Sequence, residues 1–232
     1  MISTRRYPKI EKKSLASEVY LHLKQGILNG ALAAGTRLLE MEIAEQMGIS
    51  RAPVREALRM LEADRLVDFR INQGTFVRKL DKDEIWEIFT ARSLIEGTVA
   101  SLAAKRAGPA DVNRLKQALE GVLGAAESGD FEATVAKDFK FHRLLWEISG
   151  HRVFIEILDH LEDQIRMFMA AQAPLFAHLI DSVKGHTEIV TAIANGDSET
   201  ASKTIQQHIQ DAGILMLDNW TDTTLRLDID EG

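Results

Sequence analysis

Residues 40–77 read EMEIAEQMGISRAPVREALRMLEADRLVDFRINQGTFV, and the order of signals in this stretch decides the fold of the first part of the chain. Helical patterning from Glu40 to Met47 is broken by Gly48, and Ser50 stands where a side chain would cap a new helix. Pro53 falls in the first turn of that helix, where a missing N–H costs little. Within it, Val54, Leu58 and Leu61 share one face, while Arg51, Arg55 and Arg59 share another. Val67, Phe69 and Ile71 then alternate with polar residues, which predicts a strand with those three side chains on one side. Asn72-Gln73-Gly74 supplies turn chemistry, and Thr75-Phe76-Val77 resumes the extended pattern. The reading is helix, tight turn, helix and β-hairpin.

Working outward, Val19, Leu23 and Ile27 recur every four residues and predict a helix over 15–28, ended by Asn29 and Gly30. Charge is divided unevenly. Up to Leu80 there are 14 Lys and Arg against 9 Asp and Glu, net +5, and beyond it 14 against 26, net −12, within a total of −7. A helix with an apolar face and an arginine face suits the major groove of DNA, where guanine edges accept bidentate arginine contacts and phosphates reward positive charge at a helix N-terminus. Arg51 and Arg55 sit where that geometry would use them.

After Leu80 the pattern changes to long amphipathic helices separated by short Gly, Pro and Asp breaks. Asp81 and Glu84 form a capping box for a helix running to about Arg106. Further helices are predicted over 110–127, 131–149, 153–171, 175–195 and 198–220. The fold class is therefore mainly α: an N-terminal winged helix-turn-helix with a small β-hairpin, followed by an all-α bundle of six helices. The expected organisation is a tail over 1–14, the DNA-binding unit over 15–80, the helical unit over 81–221 and an acidic tail over 222–232. With 45% hydrophobic residues in 232, both units can bury a core. There is no cysteine, so disulfides and thiolate metal sites are excluded. No leader or bilayer-spanning run is visible, and a cytoplasmic location is expected.

Asp138 and His142 are four apart on one predicted helix and so share a face, while His186 and His208 lie on the last two helices. One carboxylate and three imidazoles would suit zinc, nickel, manganese or another divalent ion, if they converge. Spacing alone leaves buried or surface histidines as the alternative. Arg92, with Glu96 one turn later, reads either as an exposed i, i+4 ion pair or as a guanidinium turned inward. His22, His151, His160 and His178 have no partner at ligand spacing.

The stretch over 31–77, with SRAPVREAL ahead of a Leu-rich segment and a glycine-ended hairpin turn, resembles the winged helix of GntR-type bacterial transcription factors. That resemblance implies DNA contacts from Ser50, Arg51 and Arg55 on the recognition helix, and from Gln73 and Gly74 on the wing. Met41 stands about where fatty-acid-responsive members carry an arginine, so no contact is carried over from the second helix. ARSLIEGTVASLAA, DFKFHRLLWEISG, GHTEIVTAI and HIQDA, in that order, resemble the FadR-type C-terminal ligand-binding domain (FCD). Its metal-binding branch implies Asp138, His142, His186 and His208 as ligands of a divalent ion and Arg92 as a clamp for an effector carboxylate. The expected protein is a regulator, a repressor in most of the family, that pairs as a homodimer on double-stranded operator DNA and answers to a small organic or sugar acid. Two alternatives stand beside it: a metal-dependent hydrolase, which the missing HExxH motif and general base disfavour, and a regulator whose metal is purely structural.

Overall fold

The computed structural model describes residues 15–171, 183 and 185–218. The expected tails over 1–14 and 222–232, the first part of the helix expected from 175, and the end of the last helix at 219–220 lie outside them. The chain divides into two compact units between Lys79 and Leu80.

The first unit runs α1 (Leu15–Leu28), β1 (Arg37–Leu38), α2 (Glu40–Gln46), α3 (Arg51–Ala63), β2 (Val67–Arg70) and β3 (Gly74–Val77). Its core forms where the apolar stripe of α1, Val19, Leu23 and Ile27, meets Val54, Leu58 and Leu61 of α3, all buried. Each such side chain contributes about 1.5–3 kcal/mol by leaving water. The arginine face of α3 is consequently left to solvent. The three strands form an antiparallel sheet in the order β1-β3-β2, with Arg37 opposite Phe76 and Phe69 opposite Thr75. Asn72, at φ 64°, and Gly74, at φ 101°, take the left-handed conformations that turn the hairpin.

Three local expectations are corrected here. Ser50 occupies the N-cap position of α3, but its side chain makes no capping hydrogen bond. The apolar alternation of β2 does not bury all three side chains: Val67 is 2% exposed, whereas Phe69 is 59% and Ile71 79% exposed. Phe69 lies on an edge strand and Ile71 in the turn after the strand ends at Arg70, so sheet pairing continues where packing does not. β1, two residues long, has no periodicity to betray it and adds a third strand.

The second unit consists of six helices among the described residues: α4 (Lys82–Arg106), α5 (Pro109–Glu127), α6 (Phe131–Ser149), α7 (Arg152–Ala171), α8 (His186–Ala194) and α9 (Ser198–Asp218). Asp81 and Glu84 form the capping box of α4, with Asp81 Oδ1 accepting from Glu84 N at 2.8 Å and Glu84 Oε2 from Asp81 N at 3.1 Å. Such a cap is worth about 1 kcal/mol. Asp130 caps α6 through Ala133 N at 2.9 Å, and Gly150, at φ 63°, ends it. α4 packs along α9, and Gly213 permits the approach, since a Cβ there would stand 2.9 Å from Phe89 Cγ. The core fills with Phe89, Phe141, Leu145, Trp146, Leu158, Ile165, Ile189 and Ile205. Among the described residues no helix is long and apolar enough to cross a membrane.

Candidate functional site

In the second unit, the buried faces of four helices carry polar residues into the apolar core. On α6, the packing of Phe139, Phe141, Leu145 and Trp146 fixes the rotation of the helix and buries His142. Asp138, one turn earlier on the same face, keeps about a quarter of its side chain exposed. His186 opens α8 and is fully buried, and His208 lies on the buried face of α9 between Ile205 and Ile209. One donor atom from each of Asp138, His142, His186 and His208 falls within 4.8 Å of all the others. The His186 and His208 rings are 4.4 Å apart between centroids, and the His142 and His208 rings 5.3 Å. The structure thus brings together the four residues singled out from the sequence, and leaves His22, His151 and His160 elsewhere. His178 lies outside the described residues.

The hydrogen bonds around the imidazoles bear on what the cluster can hold. His186 Nδ1 faces the Val183 carbonyl oxygen at 2.9 Å, and His142 Nδ1 faces Glu96 Oε2 at 2.7 Å. Both partners can only accept, so each Nδ1 donates, and in the neutral ring Nε2 carries the lone pair. Both Nε2 atoms are buried without a hydrogen-bond partner. His186 Nε2 lies 3.0 Å from Asp138 Oδ1, but without hydrogen-bond alignment, and His142 Nε2 lies 3.9 Å from Asp138 Oδ2. An unpartnered buried nitrogen costs about 1–3 kcal/mol. Two lone pairs and a carboxylate converging on one point make an arrangement that a cation satisfies, so the residues present fit a divalent metal.

Electrostatics point the same way. Burial on its own would raise the Asp138 carboxyl, yet His142, His186 and His208 around it hold it well below the usual carboxylate range. Burial, reinforced by the neighbouring His186 and His142, pushes His208 well below its ordinary value and keeps it neutral, the form that binds metal.

Arg92 is 6% exposed on the inner face of α4. The two readings of this residue merge: the i, i+4 pair with Glu96 exists, Nε to Oε1 at 2.5 Å, and it is buried. Arg92 Nη2 has no partner, and Arg92 lines a cavity together with Thr134, Asp138, His142, His208 and apolar side chains from Phe89 to Met216. The cavity is small, about 40 Å³, and open to solvent at its mouth. Glu96 is the residue that sequence reasoning missed. Burial would raise its carboxyl, but Arg92 and His142 hold it down to about 2. The signal was present in the spacing of Arg92 and Glu96, but a helix pattern cannot tell an inward pair from an outward one.

In the first unit, Arg51, Arg55 and Arg59 are exposed on α3. Arg55 makes a two-pronged bond to Glu40 at the start of α2, Nε to Oε1 at 3.0 Å and Nη2 to Oε2 at 2.8 Å. Ser50 stands at the N-terminus of α3, and Gln73 and Gly74 close the hairpin turn, with Gln73 N donating to Arg70 O at 3.0 Å. The turn gathers cations that the sequence did not single out: the Arg70 guanidinium lies 4.6 Å and that of Arg37 5.9 Å from the centre of the Phe76 ring. Arg37 sits on the short β1, which explains why its place beside the wing was not legible.

Comparison with known proteins adds a history to this geometry. Residues 15–77 match the model of the bacterial regulatory proteins of the gntR family, and residues 87–211 match the FCD domain. The chain is 31% identical over 201 residues to a probable D-xylose utilization operon transcriptional repressor of Paenarthrobacter nicotinovorans, covering 87% of this chain and 88% of the relative. It is 30% identical over 216 residues to the Uxu operon regulator of Haemophilus influenzae, covering 84% and 79%. Among solved structures, a putative GntR transcriptional regulator from Rhodococcus sp. RHA1 superposes with a TM-score of 0.75 at 25% identity, covering 90% of this chain and all of that one.

Proposed function

Because the chain belongs to the GntR family of bacterial DNA-binding transcriptional regulators and ends in an FCD domain, we propose that it is a metal-dependent, acid-responsive repressor. A family of regulators leaves the hydrolase reading without support: the protein is not an enzyme. In the proposed reading, Asp138, His142, His186 and His208 hold one zinc, nickel or manganese ion. When bound, the ion supplies a positive centre for an acid's oxygen atoms, and Arg92 offers its free Nη2 to a carboxylate. The observation that carries the proposal is the pair of buried, unpartnered Nε2 atoms on His142 and His186 beside the Asp138 carboxylate.

The repressor role follows the printed name of the Paenarthrobacter relative, and that relative's sugar operon keeps sugar acids among the effectors to test. Ser50, Arg51 and Arg55 contact double-stranded operator DNA in the major groove, and Gln73 and Gly74 approach the minor groove from the wing. Two chains pair so that two such units meet the half-sites of a two-fold operator in the cytoplasm. Effector binding shifts the population between a DNA-competent and a DNA-incompetent arrangement by its different affinity for the two.

The test is operator affinity, read by fluorescence anisotropy on a duplex selected from a random pool, as small carboxylates and sugar acids are titrated. One acid is expected to change the affinity of metal-loaded protein and to leave chelator-stripped protein unchanged. Identical responses with and without metal would leave the ion a structural part only.

A further inference from the structure

The Glu96 carboxylate lies between two groups with different tasks: Oε1 accepts from Arg92 Nε at 2.5 Å, and Oε2 faces His142 Nδ1 at 2.7 Å. Its side chain is 1% exposed, as is that of His142, and that of Arg92 is 7% exposed. Solvent therefore cannot replace either contact. Resting on the metal site read above, we propose that Glu96 is a positioning residue: it fixes His142 in the one tautomer able to bind the ion, and the same carboxylate holds Arg92 with its free Nη2 beside the cavity.

An imidazole has two nitrogens and, when neutral, one proton. A carboxylate cannot donate, so the proton must sit on Nδ1, and Nε2, the atom on the side of Asp138, keeps its lone pair. Arg92 cannot lose its proton either, so its Nε always needs an acceptor. A carboxylate has two oxygens and satisfies both donors. An amide of the same shape has one. In Glu96→Gln, Arg92 claims the only oxygen, and the NH₂ group is left facing His142 Nδ1. That ring then turns to the other tautomer, with a lone pair on Nδ1 and a hydrogen on Nε2 aimed at the place of the ion. A change of one atom at Glu96, one hydrogen bond removed from a ligand, thereby closes the site.

The same carboxylate offsets part of the cost of burying Arg92. Its Nε is held, so the guanidinium plane is fixed before any anion arrives, which spares the anion the entropy of ordering it. Arginine position and ligand tautomer are thus set by one group, and a change at Glu96 disturbs both.

The experiment measures zinc affinity by chelator competition in full-length wild type, Glu96→Gln and Glu147→Gln, with circular dichroism of each to verify retained helicity. Nitrogen NMR of ¹⁵N-histidine-labelled, metal-free protein reads the His142 tautomer. Glu96→Gln is expected to lose roughly 10- to 100-fold in zinc affinity and to move the lone-pair nitrogen signal of His142 from Nε2 to Nδ1. Glu147→Gln, the same amide change at an exposed carboxylate on α6 away from the site, is expected to stay within a few-fold of wild type. A folded Glu96→Gln protein with wild-type zinc affinity and an unchanged His142 tautomer would overturn the proposal. Absence of zinc uptake by wild type would overturn the metal site itself, and the tautomer readout would still decide the role of Glu96.

Discussion

Arg55 illustrates what a single residue can be asked to do. Its guanidinium is exposed on α3 and held on one side by Glu40, which leaves the opposite side of the fork open to a guanine edge. Arg55→Ala is expected to lower operator affinity roughly tenfold or more, whereas Asp228→Asn should leave it unchanged; both are read by anisotropy at one fixed salt concentration. A second prediction concerns acid. His208 is held neutral in the folded state and ionises freely in the unfolded chain, so the unfolded state binds the extra proton first, and stability falls as the pH drops below about 6.5. Glu96 acts in a lower window. Its folded value of about 2 lies beneath the unfolded 4.5, so its contribution is whole above about 4.5 and is lost as the pH falls toward 2. Melting temperatures of metal-free protein at pH 7.5, 6.0 and 5.0 should decline in that order, and a flat series would contradict the buried neutral histidine. Spacing alone left Asp138, His142, His186 and His208 undecided, and it was the resemblance to the FCD domain that singled them out. Glu96 was not legible, because its role depends on which way a helix face turns.

At the scale of elements, α4 to α7 were readable to within a residue or two, since a 3.6-residue apolar repeat, Asp caps and Gly stops agree with one another at α4 and α6. By contrast, α8 begins only at His186 and not at the expected 175, part of that stretch lying outside the described residues. The small sheet was less readable. β1 is too short for a pattern, and the apolar Phe69 and Ile71 remain outside, because a short edge strand owes its place to backbone pairing rather than to burial. The close approach of α4 and α9 also escaped the sequence, as glycine in a helix reads only as a weak point. It supports a paired prediction. Gly213→Ala places a methyl 2.9 Å from Phe89 Cγ, in the core, where neither partner can yield easily; overpacking of about 1–3 kcal/mol outweighs the gain in helix propensity. Gly124→Ala, on the exposed side of α5 with nothing within 4 Å, should instead stabilise by about 0.4–1 kcal/mol. Urea unfolding of the two variants is expected to move the midpoint in opposite directions, and two shifts of the same sign would contradict the packing described.

For the whole molecule, charge and architecture divide the labour. The segment up to Leu80 is net positive and carries the arginine helix, and the remainder is strongly negative and encloses the histidine cluster. In the proposed reading, a cation at Asp138 changes the sign of a pocket that otherwise sets one carboxylate against Arg92 and Glu96, whose charges cancel. In that reading, metal uptake is the event on which the rest depends. The most direct measurement is the melting temperature of chelator-stripped wild type titrated with zinc, nickel and manganese, beside His186→Ala and Asp138→Ala. Ligands that bind only the folded state raise it in proportion to RT ln(1 + [L]/Kd). The account predicts a saturable rise of several degrees for wild type with at least one of the three ions, strongly reduced in both variants. A wild-type protein whose melting temperature none of the ions moves would contradict it.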